Sequence, residues 1–237
     1  MFIAMAVFAI AFVVLLVVSI PEPQQATQNE KIGIFSPLKF RHLTFGIIAI
    51  FVYVGIEVGI PSTANLFMTK ELKIDAGVAG AVVGIYWFLM MIGRFVGGVI
   101  GAKVSTKAMM ATVSILGLVF IALGILLPTS ISVTIPTVSE PLPINLLFFC
   151  LCGLCTSVMW GGIFNLAVEG LGKYTAAASG LFMVMVCGGG IIPAIQGAIA
   201  DSIDYLPSYW LMFVCVAYIL WYALVGCKNV NKDIPVK

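Results

Sequence analysis

The stretch Leu43–Thr69 reads LTFGIIAIFVYVGIEVGIPSTANLFMT and contains one charged residue, Glu57. A helix that crosses the hydrocarbon core of a bilayer needs about 20 predominantly apolar residues. The stretch is long enough and apolar enough to meet that requirement. It therefore predicts a membrane-spanning helix with a single carboxylate near its middle.

The composition of the whole chain agrees with this prediction. Of its 237 residues 62% are apolar and only 9% are charged, with a net charge of +2, whereas soluble domains average about 25% charged residues. These values exclude a cytosolic enzyme, a disordered tail and a nucleic-acid-binding protein. Six further apolar stretches predict spans at 2–20, 77–102, 108–128, 143–168, 176–200 and 207–227. The first is not a signal peptide, because it lacks a basic start and a small-residue cleavage site.

The charges between the spans predict an orientation. Basic side chains are concentrated in three segments: 21–42, 103–107 and the tail 228–237. The loops 129–142 and 201–206 contain acids and no base, although 70–76 departs from the pattern with two lysines. By the positive-inside rule, the linker 21–42 and the tail face the cytoplasm and Met1 faces outward.

The segment 21–42 divides the chain into unequal parts. It opens with Pro-Glu-Pro and continues with Gln, Asn and Thr, a composition typical of a flexible connector. We therefore expect a lone transmembrane helix at 1–20 and a six-helix bundle at 43–227. This is the arrangement that would result if a twelve-span protein were cut within its first half.

Glu57 is the most informative polar residue. A charge in the middle of a span costs about 2.5–3.5 kcal/mol, so it must face a cavity, find a partner or be protonated. It could accept hydrogen bonds from a polar solute or take part in proton coupling, and Tyr53 lies on the same helical face. The alternative is a protonated structural acid that bonds to a neighbouring helix.

Five other side chains inside the spans or at their ends are candidates. Trp160 could stack on a sugar ring, and the amides of Asn165 and Gln196 could bind its hydroxyls. Each could instead serve only packing or interhelical hydrogen bonding. Arg94 could extend to the interface, or pair with Glu169 as a gating latch.

Helix-breaking residues and possible metal ligands also bear on function. Glycine and proline interrupt three spans, near Pro61, near Gly161 and around Gly188–Pro193, as in transporter helices that line a central site. The six cysteines lie in or beside apolar stretches and are expected to be buried thiols. With His42 as the single histidine, we expect neither a metal site nor a cofactor.

The order of four motifs resembles a known family. The run Tyr53–Ile60, YVGIEVGI, resembles the seventh helix of the fucose/glucose/galactose permeases, within the major facilitator superfamily. Resemblance to the eighth, tenth and eleventh helices is carried by Gly93–Gly97, Ile163–Leu166 with Gly170–Lys173, and Gly188–Pro193 with Gln196, Gly197 and Asp201. Glu57 and Trp160-Gly161 depart from the fucose branch, and Glu57 occurs in glucose/galactose-type members.

The resemblance implies the C-terminal half of a twelve-helix major facilitator fold, with 1–20 as the sixth helix. It implies a multi-pass protein of the bacterial cytoplasmic membrane that takes up a hexose, of glucose/galactose or fucose-like type, by proton-coupled alternating access. The missing N-terminal half, protons and lipid would be its partners, and it would not be an enzyme.

Three alternatives compete with this interpretation. A retinal-type seven-helix receptor needs a lysine within a span, and 207–227 contains none. An intramembrane enzyme needs paired acids or a nucleophile with a base, whereas Glu57 stands alone. Efflux of amphiphiles or drugs by a member of the same superfamily remains open.

Overall fold

The computed structural model describes residues 2–18, 33–134, 141–231 and 234–236. Within them, six helical segments are long and apolar enough to cross a membrane: Arg41–Glu71, Ala76–Gly101, Thr106–Leu126, Ile144–Val168, Gly172–Ser202 and Tyr205–Gly226. Each lies within a few residues of a predicted span. The prediction of six spans after the linker is confirmed, and they form one compact unit that starts at Gly33.

The first apolar stretch forms helix α1, Phe2–Val17, which belongs to a separate unit. Its 16 residues extend about 24 Å at 1.5 Å per residue. The described helix covers residues 2–17 of the predicted span 2–20, and residues 19 and 20 lie outside the described part. Most of the predicted linker, up to residue 32, also lies outside it.

The larger unit begins with a 3₁₀ turn at Ser36–Lys39. Its helices are α2 (Arg41–Leu66), α3 (Ala76–Gly101), α4 (Thr106–Leu126), α5 (Ile144–Thr156), α6 (Met159–Val168), α7 (Thr175–Val184), α8 (Gly188–Ser202) and α9 (Tyr205–Trp221). One π-helical turn extends α2 to Glu71, and another extends α9 to Gly226. Two short antiparallel strands, β1 (Ser132–Val133) and β2 (Leu142–Pro143), precede α5.

Helix α2 forms the centre of the bundle. It contacts α3, α5, α6, α7, α8 and α9, and two thirds of its most apolar stretch is buried. Most of its buried apolar side chains belong to the main hydrophobic core together with Phe149, Phe182 and Tyr209. Side chains along α2 therefore contact almost every other helix of the unit.

Two of the three predicted helix breaks are present. The fifth span is interrupted at Ser157–Val158, between α5 and α6, and the sixth by a 3₁₀ turn at Met185–Cys187. Helix α2 continues through Pro61, and α8 likewise continues through Pro193. Proline interrupts one backbone hydrogen bond, and in a membrane bundle a neighbouring helix can satisfy the freed carbonyl.

The C-terminal tail is packed onto the bundle. The backbone N–H of Arg41 donates to Oδ1 of Asn231 at 3.0 Å, and the N–H of Lys173 donates to the carbonyl of Val236 at 3.1 Å. Gly172 has φ +48° and lies so close to the Val236 carbonyl that a Cβ atom would collide with it. The tail thus connects the turn before α7 to the start of α2.

Candidate functional site

The carboxylate in the middle of α2 has a counterion. Oε1 of Glu57 lies 3.2 Å from Nη2 of Arg94 on α3. The Glu57 side chain is 16% exposed, whereas that of Arg94 is 56% exposed. The pair therefore combines a largely buried carboxylate with an accessible guanidinium. In this structure Arg94 therefore pairs with Glu57 and not with Glu169, and its role as a gating latch stays a prediction.

The depth of the two residues explains why they pair. Glu57 lies fourteen residues before the end of its span at Glu71, and Arg94 eighteen residues after the start of its own at Ala76. In an antiparallel hairpin the four-residue difference is about 6 Å, which an arginine side chain can cover. Glu169 is exposed and follows the end of α6, and its carbonyl lies 3.1 Å from Nε2 of His42.

Two aromatic side chains extend the site from the ion pair towards α6. Tyr53 lies one turn before Glu57 and is buried, and its hydroxyl makes no hydrogen bond of good geometry among the described residues. It lies close enough to Glu57 and Arg94 to interact with both charges. The Tyr53 ring meets the half-buried Trp160 edge to face, with 6.2 Å between ring centroids.

Two open depressions lie near the ion pair, and Arg94 lines the first of them. One, of about 450 Å³, is lined by Arg94, Ser157, Trp160 and Gly161. The other, of about 410 Å³, is lined by Pro61, Ser62, Asn65, Leu66, Val83 and Trp87. Glu57 is one turn from Pro61 on α2, and Val83, Trp87 and Arg94 repeat at helical spacing on one face of α3. We call the two depressions and the ion pair together the cleft.

The two predicted amides differ in their position. Asn165 is exposed and lies one turn after Gly161, on the same face of α6. Gln196, in contrast, is fully buried, and neither polar atom of its amide has a hydrogen-bond partner among the described residues. Its Oε1 would lie only 2.8 Å from a Cβ atom on Gly59, beside the Met212 side chain. The structure thus places the Gln196 amide between α2 and α9 and not in the cleft, and its role as a sugar ligand stays a prediction.

The cleft includes polar groups that the sequence did not single out. Ser157 and Asn65 line it. Tyr86 is buried beneath the cleft, and its hydroxyl donates a hydrogen bond to the backbone carbonyl of Glu57. The helical period of α3 places Tyr86 one turn before Met90 on its buried face and could have indicated burial. It could not have indicated the hydrogen bond.

Chemically, the cleft combines acceptors, donors and an aromatic face. The Glu57 carboxylate accepts hydrogen bonds, the Arg94 guanidinium donates them, and Trp160 offers an apolar ring surface. A solute with several hydroxyl groups and one apolar face satisfies all three features. Within the part of the chain that the structure describes, no cluster of three or more His, Cys, Asp or Glu side chains could hold a metal ion.

Residues 1–194 match the family model of the Major Facilitator Superfamily. The chain belongs to this superfamily. As a superfamily member with six helices apolar enough to span a bilayer, it is a multi-pass membrane protein. Its relatives are transporters, which confirms the prediction that it is not an enzyme.

The chain is similar in sequence to two bacterial proteins named as glucose/galactose transporters. The chain is 32% identical to a glucose/galactose transporter of Brucella abortus over 95% of its length and 52% of the relative. It is 33% identical to a putative glucose/galactose transporter of Helicobacter pylori over 87% of its length and 47% of the relative. The resemblance to the permease family is thereby confirmed, and the chain spans about half the length of these relatives.

A solved structure shows the same fold. The crystal structure of a variant of the Escherichia coli fucose:proton symporter superposes with a TM-score of 0.77, at 19% sequence identity. The match covers 94% of this chain and 53% of the symporter. The six-helix unit is thus one half of the superfamily fold, and the likeness at this identity concerns the fold alone.

Proposed function

We propose that the chain is the C-terminal half of a hexose transporter that takes up sugar with protons across the bacterial cytoplasmic membrane. In this proposal α1 is the sixth helix of the full protein, and the linker and tail face the cytoplasm. The names of the relatives support a sugar of the glucose or galactose type. Proton coupling is supported by the L-fucose-proton symporter of Escherichia coli, which is 24% identical over 187 residues.

The observation that carries the proposal is the ion pair in the open cleft. Every hydroxyl group of a hexose can both donate and accept a hydrogen bond, so neighbouring hydroxyls can bind Glu57 and Arg94 at once. Hydrogen bonds to charged groups contribute about 1.5–3 kcal/mol each. Trp160, with its indole half-buried beside Tyr53, would then cover the apolar face of the sugar ring.

Alternating access requires that these contacts form and break. The exposed guanidinium of Arg94 can leave Glu57 at small cost, because water solvates it, whereas Glu57 is held by the central helix α2. We assign sugar binding to Glu57 and proton coupling to the half of the transporter opposite the cleft. The Glu57–Arg94 contact is then the resting arrangement that a sugar hydroxyl replaces.

The test is transport by the intact protein that contains this chain, reconstituted in proteoliposomes. Uptake of labelled glucose, galactose and fucose is measured with and without an inward proton gradient. Trp160→Ala is expected to raise KM about 2- to 10-fold, since stacked aromatic contacts contribute about 0.5–1.5 kcal/mol. Trp210→Ala removes an exposed tryptophan of α9 and serves as the control. Absence of uptake of all three sugars, or equal KM changes in both variants, would contradict the proposal.

A second function, efflux of amphiphiles, is favoured by one observation. An apolar groove of about 460 Å³ is lined by Gly93, Val96, Gly97, Ile100, Val104, Met109, Thr112, Val113, Leu154, Ser157 and Val158. It shares Ser157 with the cleft and could hold a hydrocarbon chain. Extrusion of a lipophilic fluorescent cation by the same proteoliposomes, without sugar uptake, would favour this function.

A further inference from the structure

The backbone beside Glu57 has an unusual need for a partner. In an α-helix the carbonyl of residue i accepts a hydrogen bond from the N–H of residue i+4. For Glu57 that residue is Pro61, which has no N–H. Because bilayer-spanning segments lack water to satisfy such groups, the freed carbonyl must bond to a neighbouring helix.

Tyr86 supplies that bond. Its hydroxyl donates to the carbonyl of Glu57 at 3.3 Å. The same hydroxyl lies 3.2 Å from Oγ1 of Thr156, the last residue of α5. Tyr86 is 1% exposed, so its hydroxyl cannot exchange these partners for solvent. One oxygen atom thereby links three helices.

The approach of α5 to Tyr86 is unusually close. A Cβ atom on Gly153 would collide with the carbonyl of Tyr86, so only glycine permits this distance between α3 and α5. Thr156 lies three residues further along α5 and faces the same neighbour. The small residue at 153 therefore brings the threonine hydroxyl within reach of the tyrosine.

Both partners of Tyr86 lie next to walls of the cleft. The Glu57 carbonyl belongs to the residue that carries the carboxylate, and Thr156 immediately precedes the break Ser157–Val158, which leads into Trp160. We propose that Tyr86 is a positioning residue for the sugar site, whose hydroxyl fixes the Glu57 backbone relative to the α5–α6 break. This inference rests on the proposed function, since it assumes that Glu57 and Trp160 bind the same solute.

The test removes the hydroxyl alone. Tyr86→Phe in the intact transporter is expected to raise the KM for sugar exchange about 3- to 10-fold, because one neutral hydrogen bond contributes about 0.5–1.5 kcal/mol. Tyr209→Phe is the matched control: its buried hydroxyl donates to the Ile60 carbonyl of the same helix at 2.8 Å. Thermal unfolding midpoints are measured for both, and the control is expected to lose stability with KM changed less than 2-fold.

A rescue experiment separates positioning from general packing. Pro61→Ala restores an N–H that can donate to the Glu57 carbonyl, so the Pro61→Ala/Tyr86→Phe protein should lose much of the KM defect of Tyr86→Phe. Thr156→Val removes the contact between the Tyr86 and Thr156 hydroxyls and should also raise KM. Equal KM values for Tyr86→Phe and the double variant, or equal KM changes in Tyr86→Phe and Tyr209→Phe, would overturn the inference.

A measurement without sugar distinguishes failure of this inference from failure of the proposed function. The infrared carboxylate band of Glu57, assigned by difference from Glu57→Gln, should shift in Tyr86→Phe and not in Tyr209→Phe. If the band shifts but no hexose is transported, the positioning contact stands and the assumed substrate is wrong. If the band is the same in the unsubstituted protein, in Tyr86→Phe and in Tyr209→Phe, Tyr86 does not position Glu57.

Discussion

Substitution of Glu57 by glutamine tests the assignment of sugar binding and proton coupling to different halves. The change keeps the size of the side chain and removes its charge. A hydrogen bond to a charged acceptor contributes about 1.5–3 kcal/mol, and one to a neutral acceptor about 0.5–1.5 kcal/mol. The loss of about 1–2 kcal/mol of sugar binding corresponds to a KM about 5- to 30-fold higher.

The stability of the protein should change much less. Arg94 is 56% exposed, so its guanidinium remains solvated when its partner becomes neutral. Exposed ion pairs contribute about 0–1 kcal/mol, and the loss of unfolding free energy should lie within that range. Glu71→Gln is the control, since it makes the same change at the exposed end of the same span.

Two transport modes measured on the same proteoliposomes distinguish a sugar-binding Glu57 from a proton-coupling Glu57. Proton-driven accumulation requires coupling, whereas energy-independent exchange of labelled for unlabelled sugar requires binding and access alone. If Glu57 is a sugar ligand, Glu57→Gln raises KM in both modes by a similar factor and retains part of the accumulation at saturating sugar. Normal exchange at low sugar with complete loss of accumulation would show that Glu57 is the coupling acid.

Three further substitutions test the fold that holds the cleft, each by its thermal unfolding midpoint. Gly153→Val should destabilise the protein by about 1–3 kcal/mol, because its side chain would meet the Tyr86 carbonyl. Asn145→Leu should cost about 1–3 kcal/mol, since the buried amide donates at 2.6 and 2.8 Å to two carbonyls at the end of α4. Gly172→Ala should cost about 1–2 kcal/mol from its left-handed backbone and expose the tail near Val236 to proteolysis.

A control glycine is available for two of these changes. The nearest atom that a Cβ on Gly101 would meet is the Met109 methyl carbon at 4.0 Å, an ordinary contact. Gly101→Ala is therefore expected to leave the unfolding midpoint unchanged or slightly raised. An equal loss of stability in Gly101→Ala and in Gly153→Val or Gly172→Ala would show that those effects come from glycine replacement in general.

The spans were predictable because each depends on its own residues. Apolar length alone locates Arg41–Glu71 and the five spans after it to within a few residues. Glu57 was identifiable for the same reason, as one charge in an apolar stretch. Local breakers also indicated the interruptions of the fifth and sixth spans.

The contacts between spans were not predictable in the same way. The Glu57–Arg94 pair follows only when depth is counted from the loop between α2 and α3, since no basic residue lies within two turns of Glu57 on its own span. Gln196 has a polar amide like Asn165, yet it is enclosed because Gly59 leaves room for it beside Met212. A polar side chain at the right depth is therefore not enough to predict cleft exposure.

The ion pair also bears on how the polypeptide enters the bilayer during synthesis. Each charge alone raises the insertion cost of its helix by about 2.5–3.5 kcal/mol. Helices α2 and α3 are consecutive, with only a short turn between Glu71 and Ala76, and their charges neutralise each other at 3.2 Å. Insertion of the two as a hairpin lowers the cost that either would meet by itself. The ion pair thus couples the insertion of the first helix of the bundle to that of the second, because each charge is neutralised only when both helices are in the bilayer.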